Sequence, residues 1–213
     1  YPQLRPEIPV SIISRDAHLV YSSMFPSVLS KSISLEESLI DLASLAKNAK
    51  ISFIEEEVKD IDLKLKKIAL ENRSSIKFSH LVLNYGSQTK IPRDFEHLVN
   101  KQIAFPVKPF LKSYELIKQE DIYDSGKEKP FVIVGSGLAA IEVAFALRKR
   151  WGNRLLKLLC HSKKINEKFL KSLRNADIEL VNNLDNSYGK IILCTGNKSP
   201  LLAHKKNFEL DTS

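Results

Sequence analysis

A chain of 213 residues, 43% hydrophobic and 27% charged, has the composition of a globular protein that can bury a core in one large or two small domains. No apolar run approaches the roughly 18 residues of a membrane-spanning helix, nothing at the start reads as a signal peptide, and no nucleic-acid motif or aromatic-studded basic patch is present. The formal net charge of +8 is spread along the chain; it suits attraction to anionic nucleotides, peripheral contact with a membrane surface, or simply a lysine-rich solvated exterior.

The predicted elements begin after a proline-rich, loop-like start at residues 1–9. Residues 10–14 (VSIIS) predict a short buried strand, and the polar, Ser-rich stretch 15–31 predicts a loop. Ser34 and Glu37 have capping-box spacing and predict a helix start, with Leu35, Leu39, Leu42, Leu45 and Ala46 as its apolar face. Residues 51–54 predict another strand, and residues 58–78 alternate polar and apolar around a polar turn, as a half-exposed hairpin or meander does. Residues 80–92 (HLVLNYGSQTKIP) and 190–200 (KIILCTGNKSP) share one order: apolar strand, two residues and a glycine, polar loop, proline. That repeat predicts two consecutive α/β units that close with the same turn, though a match so short also arises by chance. Between them, residues 105–109 (FPVKP) predict a rigid connector, 110–118 an amphipathic helix and 119–129 a surface loop.

Residues 131–149 (FVIVGSGLAAIEVAFALRK) carry the most informative pattern. Phe131-Val132-Ile133-Val134 is a short apolar run closed by glycines, as in a strand buried on both faces. From Leu138 the apolar period becomes helical. Strand, Gly135-Ser136-Gly137-x-x-Ala140, helix is the dinucleotide-binding turn. Gly135 allows the tight turn, Gly137 lets backbone approach a pyrophosphate, and the small Ala140 permits close packing, while the helix start offers free N–H groups and a positive dipole end. A plain structural turn is the competing reading. Residues 155–160, 166–175 and 178–181 then predict strand, helix and strand, completing a parallel βαβαβ unit. Cys160 and Cys194 are far apart and have neither metal nor Cys-x-x-Cys spacing, so they predict inert buried thiols in a reducing cytoplasm and no metal site.

A carboxylate about 20 residues beyond the glycine turn would accept the ribose hydroxyl of NAD. Here the second strand ends in His161-Ser162-Lys163-Lys164. Ser162 and the lysines suit the 2′-phosphate of NADP, or are solvated.

Gly135 to Glu142 together with Asn84-Tyr85-Gly86 and Cys194-Thr195-Gly196 resemble the flavoprotein reductases that bind FAD and NAD(P)H on two successive Rossmann-like domains. Tyr21 to Pro26, Ser34 to Leu42 and Pro106 to Pro109 narrow the resemblance to the NADH dehydrogenase-like branch, including the flavoprotein module fused to selenide, water dikinase. The resemblance implies an α/β fold of two Rossmann-like three-layer halves: a partial FAD-type domain over 1–109 with its antiparallel meander, a compact NAD(P)H domain over 110–200, and a return segment over 201–213. It implies hydride transfer from NADPH or NADH to FAD and on to a quinone or other small acceptor, with another enzyme domain fused or associated. Ser14, Arg15, Met24, Pro26, Val58, Tyr85 and Gly86 are then implied FAD contacts, and Thr195 and Gly196 nucleotide contacts. Glu142 is implied to approach the nicotinamide, with a first-turn acid on the helix dipole as the bland reading; Lys108 is implied to reach a flavin edge, with a solvated lysine as its bland reading. The family's first strand with its glycine turn, and its later Gly-Asp segment, both face the FAD pyrophosphate and are missing from this sequence. The expectation is therefore that the chain alone holds FAD weakly or not at all, as a fragment or a reduced paralogue. A non-catalytic binding or regulatory module that has lost the flavin site is the alternative.

Overall fold

The computed structural model describes residues 8–122, 129–160, 165–185 and 187–199, which form two units. Ser162, Lys163, the predicted tail and most of the 119–129 loop lie outside the described residues.

The first unit contains residues 8–19 and 39–86. Strand β1 (Ser11–Ser14) is half-exposed rather than buried, because among the described residues only one strand pairs with it. Short strands β2 (His18–Val20) and β3 (Leu39–Asp41) pair with each other; between them in sequence lies α1 (Phe25–Leu29), which belongs to the second unit. Helix α2 (Leu42–Ala49) leads into β4 (Ser52–Glu55), which runs parallel to β1 from Ser11↔Ser52 to Ser14↔Glu55. The meander forms as β5 (Val58–Asp62), β6 (Lys67–Leu70) and β7 (Ile76–Lys77), all antiparallel, with Ile61, Ile68 and Leu70 turned inward.

The predicted helix at Ser34 starts eight residues late. Its capping box does form: the Ser34 N–H donates to Glu37 Oε2 at 2.7 Å, and the Glu37 N–H donates to Ser34 Oγ at 3.2 Å. It closes only a 3-10 turn at Glu36–Ser38. The Leu42 N–H then donates to Ala17 O at 3.0 Å, and the chain stays extended through β3. Asp41 caps α2 instead, its Oδ1 accepting from the N–H groups of Ala43 and Ser44. Leu45 is accordingly 48% exposed and outside the core. The strand predicted at 80–83 does not form either: these residues adopt no regular structure, and Val82 is 88% exposed. A parallel strand needs neighbours to bond, and among the described residues the parallel sheet of this unit has only β1 and β4.

The second unit contains residues 20–38 and 87–199 as far as they are described. Part of the predicted 15–31 loop is structured: a 3-10 turn at Ser22–Met24 runs into α1, whose Phe25, Val28 and Leu29 are buried. Five residues are too few to show helical periodicity. Next come β8 (Gln88–Thr89), α3 (Arg93–Asn100), β9 (Ala104–Pro106), α4 (Phe110–Ile122), β10 (Phe131–Val134), α5 (Leu138–Arg150), β11 (Leu156–Leu159), α6 (Glu167–Asn175), β12 (Ile178–Val181), β13 (Ile191–Leu193) and β14 (Asn197–Lys198). Five strands make one parallel sheet in the order β12-β11-β10-β13-β9. The supposed connector at 105–109 therefore starts as an edge strand, a place where Pro106 is tolerated.

Strand β10 is central and buried along its whole length. Its residues alternate between the two faces: Phe131 and Ile133 join one core with α1, α4, α5 and α6, while Val132 and Val134 join another with Leu98 of α3. Helix α5 is buried through Ala140, Ile141, Val143, Ala144, Ala146 and Leu147, so small residues let it lie close to the sheet. Its C-terminal end is tied down by ion pairs. Asp121 accepts from Arg150 Nη2 at 2.6 Å, Trp151 Nε1 at 2.7 Å and Lys31 Nζ at 2.9 Å. Burial alone would raise the Asp121 carboxyl, but the hydrogen bonds from Arg150, Lys31 and Trp151 outweigh it and hold it down at about 2. Among the described residues no helix is long and apolar enough to cross a membrane.

Candidate nucleotide-binding site

From β10 the chain winds outward through β11 to β12, then returns so that β13 lies on the other edge of β10. The strand order thus reverses between β10 and β13. In such sheets the carboxyl ends of the two strands splay apart at the reversal and leave a crevice. A cavity of about 470 Å³ opens there, lined by Ser136 and Gly137 after β10, Thr195 and Gly196 after β13, and Lys108 after β9. Hydrogen bonds knit the strand ends beneath it: the Cys194 N–H donates to Val134 O at 2.8 Å, and the Val107 N–H to Leu193 O at 3.0 Å.

The two glycines of the turn do different work. Gly135 has φ +149°, and a Cβ there would lie 2.5 Å from the Cys194 carbonyl oxygen and 3.0 Å from Ala140 Cβ. No other residue fits. Ala140 is fully buried and small for the same close approach. Gly137, the N-cap of α5, has nothing within 4 Å of an added Cβ and no side chain capping the helix. Its bareness is a gap left on the cavity side, with the first-turn N–H groups of a 13-residue helix facing an uncapped end. A pyrophosphate fits that cradle, because it needs N–H donors, a positive dipole end and no Cβ in its way.

Glu142, one turn further along α5, is exposed and lines the same cavity. Lys108 faces it from the loop after β9 and is half-buried. Its Nζ donates to Ser87 Oγ at 2.8 Å and lies 5.4 Å from the centre of the Phe110 ring, while its N–H donates to Thr89 Oγ1 at 3.0 Å. The lysine is therefore held, not freely solvated. Phe25 and Phe110, with ring centroids 4.4 Å apart, and Val143 give the cavity an apolar wall. Thr195 Oγ1 donates to Lys90 O, and the Lys90 N–H donates to Gly196 O at 2.9 Å, so the β13 turn is fastened to the strand pair β8–β14.

Of the residues singled out in the sequence, Pro26, Lys108, Ser136, Gly137, Glu142, Thr195 and Gly196 meet at this cavity, with Gly135 and Ala140 packed behind it. Met24 ends the 3-10 turn before α1. Ser14, Arg15, Val58, Tyr85 and Gly86 belong to the other unit. There Ser14 Oγ donates to Asp16 O at 2.9 Å, Arg15 pairs with Asp16 at 2.8 Å, Val58 opens β5, and Gly86 has φ +71°. Sequence reasoning missed Ser87, Thr89 and Phe110, which place Lys108; no local pattern marks a side chain whose role is set across some twenty residues of chain. Cys194 lies in the cavity floor as a free thiol, pushed up to about 12 by burial, and Cys160 is raised by burial as well. Both are buried, unlike a reactive cysteine, and no group of residues suited to a metal ion occurs among the described residues.

Residues 4–184 match the pyridine nucleotide-disulphide oxidoreductase family. Ferroptosis suppressor protein 1 of Xenopus tropicalis is 27% identical over 163 residues, which are 76% of this chain and 38% of that protein. The chain thus spans between a third and two fifths of the length of the curated relatives it matches. Among solved structures, water-forming NADH oxidase from Lactobacillus brevis, bound to NADH, superposes with a TM-score of 0.76 at 14% identity, covering 98% of this chain and 52% of that one. NADH:rubredoxin oxidoreductase from Clostridium acetobutylicum gives 0.70 at 20% identity, covering 96% and 56%. These likenesses show a Rossmann-type fold, and the family match extends over most of the sequence: the chain belongs to the pyridine nucleotide-disulphide oxidoreductase family.

Proposed function

We propose that this chain is the nucleotide-binding part of a flavin-dependent NAD(P)H oxidoreductase of the NADH dehydrogenase-like branch, akin to the flavoprotein module fused to selenide, water dikinase. The observation that carries the reading is the bare cradle at Gly137, open on the cavity that Lys108 and Glu142 both line. Bound there, the nicotinamide cofactor supplies a hydride for FAD, which hands electrons to a quinone or other small acceptor. The chain's own part is to bind and orient. Gly135, Ser136 and Gly137 with the start of α5 hold the pyrophosphate, Thr195 and Gly196 border it, and Phe25 and Phe110 keep water from one wall. Lys108, fixed by Ser87 and Thr89, sets a positive charge at the cavity edge, and Glu142 an opposing negative one. The lysines after β11 favour NADPH over NADH, since a 2′-phosphate carries close to two negative charges.

The alternative is a binding module without turnover, and it draws on the segment at 81–86, which forms no strand. One experiment separates the two. FAD is added to the purified chain in large excess, because the chain alone is expected to hold it weakly, then NADPH or NADH without oxygen, and the flavin band near ~450 nm is followed. The proposal expects bleaching, with NADPH effective at roughly 5- to 30-fold lower concentration and Lys163→Ala/Lys164→Ala bringing the two nucleotides together. Nucleotide binding without bleaching supports the module; no binding defeats both.

A further inference from the structure

The positive charge that looks dispersed in the sequence is partly gathered by folding. In the first unit, β5 and β6 join through a turn at residues 63–66, and β6 pairs onward with β7. This end of the meander carries Lys64, Lys66, Lys67 and Lys77, all exposed. The register sets Lys67 directly opposite Lys77, where like charges repel. None of the four enters an ion pair among the described residues, whereas Lys59 near the other end of β5 bridges Glu71 at 3.0 Å. Asp62 lies opposite Lys67 in register, but its Oδ1 accepts the Leu65 N–H at 2.8 Å and shapes the turn. Leu65, flanked by Lys64 and Lys66, is 64% exposed.

A single exposed leucine is ordinary. A leucine on a turn surrounded by four unneutralised lysines is complementary to one kind of surface: apolar tissue under a layer of phosphates. An anionic bilayer offers both, with room for an aliphatic side chain at headgroup depth and phosphates for the ammonium groups. A nucleic acid would be met by stacking aromatics or by arginine forks, and the turn LKLKK has neither. We propose that the β5–β6 turn docks this chain on an anionic phospholipid surface, with Leu65 entering the headgroup region and Lys64, Lys66, Lys67 and Lys77 facing its phosphates. The inference stands apart from the nucleotide site.

The test is sedimentation of the purified chain with vesicles of phosphatidylcholine alone or mixed with phosphatidylserine. Binding is expected only to the mixed vesicles, and it should weaken as salt rises. Lys64→Gln/Lys67→Gln/Lys77→Gln should weaken it by on the order of 10-fold or more with circular dichroism unchanged. Lys66 is left in place because its φ of +49° is part of the turn. A Leu65→Trp variant should gain a blue-shifted emission on mixed vesicles that the wild type, with only Trp151, lacks. Equal binding to both vesicle types, no binding at low salt, or an unweakened triple variant overturns the proposal. Retention by RNA or inorganic phosphate without vesicle binding overturns it too.

Discussion

Residues 190–196 and 80–86 read alike, KIILCTG and HLVLNYG, yet they end in different states. In the first, β13 is bonded on one side by β10 and on the other by β9, and Ile191, Ile192 and Leu193 are fully buried. In the second, no strand forms and Val82 stands in solvent. The apolar residues are nearly the same, so the difference lies in what surrounds them. A buried parallel strand is a property of its neighbours as much as of its own residues. The turn after the strand follows suit: Thr195 and Gly196 are fastened to Lys90 and face the cavity, while Tyr85 is exposed.

The comparison can be broken by mutation. Ile192→Ala should cost about 2–5 kcal/mol in urea denaturation, because the cavity it leaves lies within a packed sheet. Val82→Ala should stay within about 0.5 kcal/mol. Equal losses would mean that residues 81–83 are as well packed as β13. The glycines give a smaller contrast. Gly135→Ala forces a Cβ against the Cys194 carbonyl at φ +149°, and its expected cost is about 2–4 kcal/mol. Gly86→Ala, at φ +71° with nothing nearby, should cost only about 1 kcal/mol.

The smallest effect concerns acid. Asp121 is held at about 2 in the folded second unit, below its ordinary 3.8. A depressed carboxyl contributes stability that is complete above the ordinary value and is lost as pH falls through the folded one. The second unit should therefore weaken between about pH 4 and pH 2. Asp121→Asn should flatten that slope and lower stability at neutral pH by about 1–2 kcal/mol, since Arg150 loses its carboxylate partner. The Arg15–Asp16 pair of the first unit is exposed on both sides, and Asp16→Asn should change stability at neutral pH by no more than about 0.5 kcal/mol.

The second unit was more legible than the first for a physical reason. Between Phe131 and Val181 the parallel strands β10 and β11 are each followed by their own helix, so local period and long-range pairing agree. Gly135 and Gly137 were readable because backbone geometry demands them. Around Ser34 the local signal and the tertiary bonds conflict: the capping box forms as the sequence suggests, but hydrogen bonding to Ala17 and the pairing of β3 delay the helix to Leu42. The setting of Lys108 was hidden for another reason, since Ser87 and Thr89 reach it across the fold and leave no periodic trace.

The central claim is that a nicotinamide nucleotide is held on the Gly135-Ser136-Gly137 turn, and Gly137→Val tests it most directly. The new side chain meets no protein atom within 4 Å of its Cβ, so circular dichroism should be unchanged and stability should fall by no more than the roughly 1 kcal/mol that a poorer N-cap costs. It would stand where the pyrophosphate must approach, and affinity for NADPH and NADH in a fluorescence titration should fall on the order of 100-fold or beyond detection. A folded Gly137→Val chain that binds both nucleotides as tightly as the wild type would contradict the account and remove the site from this turn.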